Sequence, residues 1–183
     1  MKEESVFDGA VTLTIPDSYE RWNGDTQQSG ETAENAVQQT GADDDPYNAQ
    51  FIQNLAPNGL FKARTDTYVT GTKSENPWQP DKLSERLNDY YQTVVRSLPM
   101  VRNAEIGTHP APYGEETQEI GMLHYTFATP TCDWFACTVL LPVASNEATI
   151  TMLCTLDHAV LGAMEFMSIA DSITLNQLSP AQE

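Results

Sequence analysis

From Asn103 to Glu183 the chain has no lysine and no arginine, although that stretch carries ten acidic residues. Over all 183 residues there are 9 bases against 26 acids, a formal net charge of −17. A field of this sign repels phosphate backbones and anionic headgroups, which are bound by Lys/Arg patches that displace counterions. The chain is therefore not expected to bind nucleic acid or a membrane surface. Long apolar runs are also missing. The longest, around Cys137–Val143, falls far short of the ~20 residues a membrane span requires. Met1-Lys2-Glu3-Glu4 lacks the apolar region and small-residue cleavage site of an export signal. The expectation is a cytoplasmic protein, or an exported one whose leader has been removed.

Three cysteines, Cys132, Cys137 and Cys154, form an odd count with no framework spacing, which favours a reducing compartment and buried thiols. Glycines are scattered. Gly107, Gly114 and Gly121 stand alone rather than in a phosphate-cradling or dinucleotide pattern. At this length the chain reads as one domain, 1–183, able to bury a core without a metal or disulfide staple.

Within that domain the sequence alternates between order and excursion. Val11-Thr12-Leu13-Thr14-Ile15 predicts a strand stopped by Pro16-Asp17. A polar, acidic excursion follows at 23–50, whose few apolar residues allow at most one short helix. Phe51-Ile52 and Leu60–Thr70 read as strands joined by a turn at Pro57-Asn58-Gly59, and Gly71–Gln79 reads as a loop. Pro80-Asp81 opens a helix in which Leu83, Leu87, Tyr90, Tyr91, Val94 and Leu98 recur at helical spacing up to Pro99.

The last third alternates more clearly. Phe135, Cys137, Val139 and Leu141 share one face of a strand, and Ile150, Met152, Cys154 and Leu156 share one face of the next. With Ala144–Glu147 as the loop, Leu141 pairs with Ile150, Val139 with Met152, Cys137 with Cys154 and Phe135 with Leu156. Ala136, Thr138, Thr149, Thr151 and Thr155 then form a semi-polar, lightly covered face. Leu123, Tyr125 and Phe127 add a third strand, with Phe127 beside Phe135. A closing helix near Val160–Leu175 presents Val160, Ala163, Met164, Phe166, Met167, Ala170 and Ile173 as a wide packing surface. The fold class is α+β: an antiparallel sheet of about six or seven strands flanked by two main helices.

The opening Val11-Thr12-Leu13-Thr14-Ile15-Pro16-Asp17 and the closing Phe166-Met167-Ser168-Ile169-Ala170-Asp171-Ser172-Ile173 resemble the corresponding ends of the PsbP-like fold. That α/β/α sandwich is shared by the extrinsic photosystem II protein, a Ran-binding import factor and DcrB-type bacterial lipoproteins. The likeness is one of element order across most of the chain, and it implies an accessory or partner-binding role rather than catalysis. No family site motif is visible, so no functional residue is carried over. A cystatin-like or nuclear-transport-factor-like sheet wrapped on a helix is the alternative fold.

No arrangement of residues commits the chain to an enzyme, a cofactor or a metal. Cys137 facing Cys154 reads as two reduced core thiols, though a cross-strand disulfide is geometrically conceivable. Cys132, Cys137, Cys154 and His158 lack a zinc-finger spacing. Asp43-Asp44-Asp45 lacks the glycine and glutamate of a calcium loop. Cys132-Asp133 with His124 or His158 supplies the residue types of a nucleophilic site without an activating helix terminus. The expected function is a non-catalytic accessory protein whose acidic surface meets a basic partner, with Trp22, Asp43, Asp44, Asp45 and Trp78 as contact candidates. The alternatives are a small-molecule binder or minor enzyme with a pocket lined by Trp78, Tyr90, Tyr91 and His109, and a structural oligomer subunit.

Overall fold

The computed structural model describes residues 1–22, 46–64 and 66–176. Its elements, in chain order, are β1 (Lys2–Val6), β2 (Val11–Ile15), β3 (Glu20–Arg21), α1 (Pro46–Leu55), β4 (Gly59–Ala63) and β5 (Thr67–Pro77). They continue with α2 (Leu83–Thr93), β6 (Arg102–Tyr113), β7 (Glu116–Ala128), β8 (Asp133–Val143), β9 (Asn146–Thr155), α3 (Ala159–Asp171) and β10 (Thr174–Leu175). One sheet runs β1-β2-β10-β6-β7-β8-β9-β5-β4-β3.

This corrects the expected six or seven antiparallel strands and two helices. The described residues hold ten strands and three helices, and the β10–β6 pair is parallel, so the sheet is mixed. Of the strands not expected, β3 and β10 are two-residue pieces, β1 is a charged segment without apolar alternation, and β6 is a long, largely exposed strand with only Ala111 buried. The partners of β3 and β10 are remote in sequence, whereas β1 forms a hairpin with β2 in which Val6 lies opposite Val11.

Three further corrections follow. Phe51-Ile52 lies in α1, not in a strand, and Ile52 of that helix is buried. Leu60–Thr70 holds the β4–β5 turn, and β5 continues through most of the supposed Gly71–Gln79 loop. The β8–β9 register is shifted by two residues: Val143 pairs with Asn146, so Val139 faces Ile150, Cys137 faces Met152 and Phe135 faces Cys154. A two-residue turn, Ala144-Ser145, closes the hairpin where four residues were expected, with Ala144 at φ 55. Because a two-residue shift preserves the side-chain alternation, the faces read from the sequence stand although the partners do not.

Apolar residues of both faces are buried. On one face β2 and the odd-numbered positions of β8 pack against Phe166, Ile169 and Ala170 of α3. On the other, Tyr125, Phe127, Trp134, Ala136, Leu140 and Leu153 pack with Ile52 of α1 and Leu83 and Leu87 of α2. Phe127 therefore sits against Trp134 (ring centroids 6.4 Å apart, planes 12° from parallel) and not beside Phe135, which stacks on Phe166. Of the face expected to be lightly covered, Ala136 and Thr138 are buried, whereas Thr149, Thr151 and Thr155 are half-buried. Burial on both sides explains why Ala136–Leu141 is continuously apolar apart from one threonine. Each large side chain so enclosed contributes about 1.5–3 kcal/mol.

Two glycines set the depth at which the helices dock. A Cβ at Gly162 of α3 would lie 2.4 Å from Cys154 Sγ, and one at Gly121 of β7 would lie 2.4 Å from a methyl of Leu87. Each helix approaches the sheet where one side chain is missing.

Candidate functional site

The closing helix does not bury the wide surface its composition offers. Gly162, Phe166, Ile169 and Ala170 face the sheet, and Ile173 is buried just beyond the helix. Val160, Met164 and Met167, expected to pack, lie on the opposite stripe at i, i+4, i+7, with Leu161 beside them. Val160 is 82% exposed and Met164 68%. The reason is geometric: a helix lying on a sheet buries one side only, whatever the composition of the other.

Polar groups hold this helix in place. Arg64, at φ 59 in the β4–β5 turn, donates from Nη2 to Glu165 Oε2 (2.9 Å) and from Nη1 to Oε1 (3.3 Å). Tyr19 donates its hydroxyl to the same Glu165 Oε2 at 2.9 Å, and burial pushes the Tyr19 phenol far above its ordinary value. Asp66 Oδ2 accepts from Thr155 Oγ1 (2.7 Å) and pairs with His158 Nδ1 at the start of α3. The turn between β4 and β5 thus fixes α3 at two points along its length. Around the exposed stripe Asp157 and Asp171 are exposed acids, Asp171 lying 3.5 Å from His109, and Arg64 is committed to Glu165.

The contact candidates are scattered. Asp43, Asp44 and Asp45 lie outside the described residues. Trp22 is buried against Tyr68, with ring centroids 5.1 Å apart, and Trp78 packs half-buried on the α1/α2 face. The pocket candidates do not converge either. Tyr90 lines a cleft on the α1/α2 face, Trp78 lines a separate cavity of about 370 Å³, and His109 is across the sheet beside α3. Tyr91 packs against the α2-side core.

The thiols are quiet. Burial pushes Cys137 and Cys154 up to about 12 and also raises Cys132. That is the reverse of an activated nucleophile. All three cysteines are free, Cys137 and Cys154 sitting in adjacent rows of the hairpin rather than opposite one another. His124, the other base weighed for Cys132, lies against Phe135. Among the described residues no cluster of three or more His, Cys, Asp or Glu is arranged to hold a metal ion.

On the α1/α2 face, sequence reasoning missed two features. Arg86, which lies outside the apolar spacing of its helix, donates from Nε and Nη2 to both oxygens of Glu147 (2.7 and 2.8 Å), whose side chain is buried. Thr70, Thr151 and Thr138 form one row across β5, β9 and β8. Tyr125 Oη lies 3.1 Å from Thr138 Oγ1, which lies 3.0 Å from Thr151 Oγ1. The alternating threonines were the legible trace of this row. Nothing local marks Glu147, since its partner is 61 residues away.

This arrangement, a broad sheet wrapped by N- and C-terminal segments that meet at β2 and β10, is the PsbP-like fold. The solution structure of the cyanobacterial PsbP protein, CyanoP, of Synechocystis sp. PCC 6803 superposes with a TM-score of 0.56 at 12% identity, covering 95% of this chain and 91% of that one. LpqN, involved in cell envelope biogenesis of Mycobacterium tuberculosis, gives a TM-score of 0.47 at 10% identity, over 96% of this chain and 90% of its own. No family model and no curated protein sequence matches. At these identities the likeness concerns the fold alone.

Proposed function

We propose that this chain is a non-catalytic accessory protein that binds a basic protein partner through the outward face of α3. The observation that carries this reading is the exposure of Val160, Leu161, Met164 and Met167 together on a helix whose other side is locked into the core. Contiguous exposed apolar side chains on a folded domain mark contact surfaces, and methionines adapt to a partner's shape. The charge around them favours a basic counterpart: Asp157 and Asp171 are exposed nearby, and no Lys or Arg occurs after Arg102. Acidic steering would speed encounter while the apolar stripe provides the held contact.

The reading is tested with immobilised wild-type chain and a Val160→Asp/Met164→Glu variant, both exposed to native-source lysate at low and high salt. Capture of one basic protein by wild type, reduced by salt and lost with the variant, supports it. Equal capture by both chains, or a captured set with no basic member, overturns it. So does a salt-insensitive dimer of the chain alone that the variant abolishes, since the stripe would then be covered by a second copy.

A further inference from the structure

The opposite face of the sheet carries a cleft that the partner-binding reading does not use. Two chambers meet there between β5, β8, β9 and helices α1 and α2, one of about 580 Å³ and one of about 190 Å³. They share Thr72, Tyr90, Val94 and Thr149 as a common wall. The larger falls within the ~300–1,000 Å³ range of small-molecule pockets.

The two chambers differ chemically. The inner one combines apolar walls, among them Phe51, Leu55 and Phe127, with the hydroxyl chain described above. In that chain Tyr125, Thr138 and Thr151 are joined by two hydrogen bonds. Three hydroxyls supply three hydrogens, so their two mutual bonds leave one O–H over, at Tyr125, Thr138 or Thr151, and the Tyr90 hydroxyl lies within hydrogen-bonding reach of Thr138, Thr149 and Thr151. Tyr90, Tyr125, Thr149 and Thr151 line the inner chamber, so a ligand's acceptor there meets their hydroxyls. The outer chamber contains Arg86, but its guanidinium is held by both oxygens of Glu147 and reaches Asp89 at 3.3 Å. Two carboxylates against one cation leave the mouth unfavourable to an anion.

We infer that this cleft is a binding site for an uncharged amphipathic molecule, with a ring- or short-chain apolar body in the inner chamber and a carbonyl or ether oxygen accepting from the Tyr90, Tyr125 or Thr151 hydroxyls that line it. The built elements are the buried Glu147, which fixes Arg86, and the threonine row, which holds its donors without side-chain rearrangement. Val94, 42% exposed, stands at the junction of the two chambers.

The test is a fluorescence titration of the full chain with Prodan, a neutral naphthalene ketone whose emission reports a dry, hydrogen-bonded site, beside an anionic naphthalene sulfonate of similar ring size. Expected is saturable one-to-one binding of Prodan with blue-shifted emission. Thr151→Val, which keeps shape and removes one hydroxyl, should weaken it about 5-fold, the worth of one hydrogen bond. Val94→Trp, which fills the junction from an exposed position, should abolish it. Met164→Glu, on α3, should leave it unchanged and so separates this site from the apolar stripe. The inference is overturned by unsaturable binding, by equal affinity in wild type and Thr151→Val, by loss in Met164→Glu, or by tighter binding of the sulfonate than of Prodan.

Discussion

Gly162 of α3 and Cys154 of β9 meet so closely that a methyl on the glycine would lie 2.4 Å from the thiol sulfur but an ordinary 3.5 Å from the cysteine Cβ. On propensity alone, alanine at a helix interior is better than glycine by about 1 kcal/mol. Here it should be worse. Gly162→Ala is expected to cost about 1–3 kcal/mol by overpacking. In a Cys154→Ala background, where the clashing sulfur is gone, the same change should turn neutral or stabilising. Urea unfolding of the four chains measures the coupling. A Gly162→Ala chain as stable as wild type would show that α3 can lift from the sheet without loss.

Arg86 and Glu147 make the strongest unpaired-charge prediction. Removing Arg86 leaves a carboxylate buried without its cation, so Arg86→Met should cost about 3 kcal/mol, the lower end for breaking a buried pair because Arg86 keeps some exposure. Replacing both by methionine should recover most of that loss. Chemical denaturation of the two chains decides it: equal destabilisation by the single and double changes would mean the pair itself carries the stability.

Thiol chemistry provides a direct probe of the β8–β9 hairpin. With Cys137 and Cys154 raised by burial to about 12, neither is appreciably ionised near pH 8. Alkylation of the native chain by iodoacetamide, followed by intact-mass spectrometry, should add one group, slowly, at half-buried Cys132. In denaturant all three should react. Rapid native labelling of Cys154 would place α3 away from β9.

His124 should make folding sensitive to mild acid. Burial lowers its pKa from 6.5, and Glu105 opposes this only in part. Near and below 6.5 the unfolded chain therefore binds more protons than the folded one, so this residue's effect is to reduce stability as pH falls. His124→Gln should lose less stability than wild type between about pH 8 and pH 5, a difference read from paired urea titrations. An identical loss in both chains would assign the acid sensitivity elsewhere.

The face of each residue in β8 and β9 was legible because side chains alternate with period two, and Cys137, Val139, Leu141, Ile150 and Met152 do share one core. Their partners were not legible. Alternation is blind to a two-residue slip, and the length of the Ala144-Ser145 turn decides the pairing. The helical spacing of Leu83 and Leu87 marked α2 correctly, yet the same logic overstated α3, where Val160 and Met164 belong to an apolar composition but face water. Of the cleft, only Tyr90 and the alternating threonines could be read in advance.

By itself the sequence determined the α+β class, the apolar faces of the central hairpin and the acidic charge, because these depend on local periodicity and on charge counts. The tertiary structure alone decided the ten-strand order, the docking of α3 that leaves one of its sides bare, and the meeting of Arg86 with Glu147 and of Tyr125 with the threonine row. Those depend on contacts between residues far apart in the chain, which no local pattern encodes.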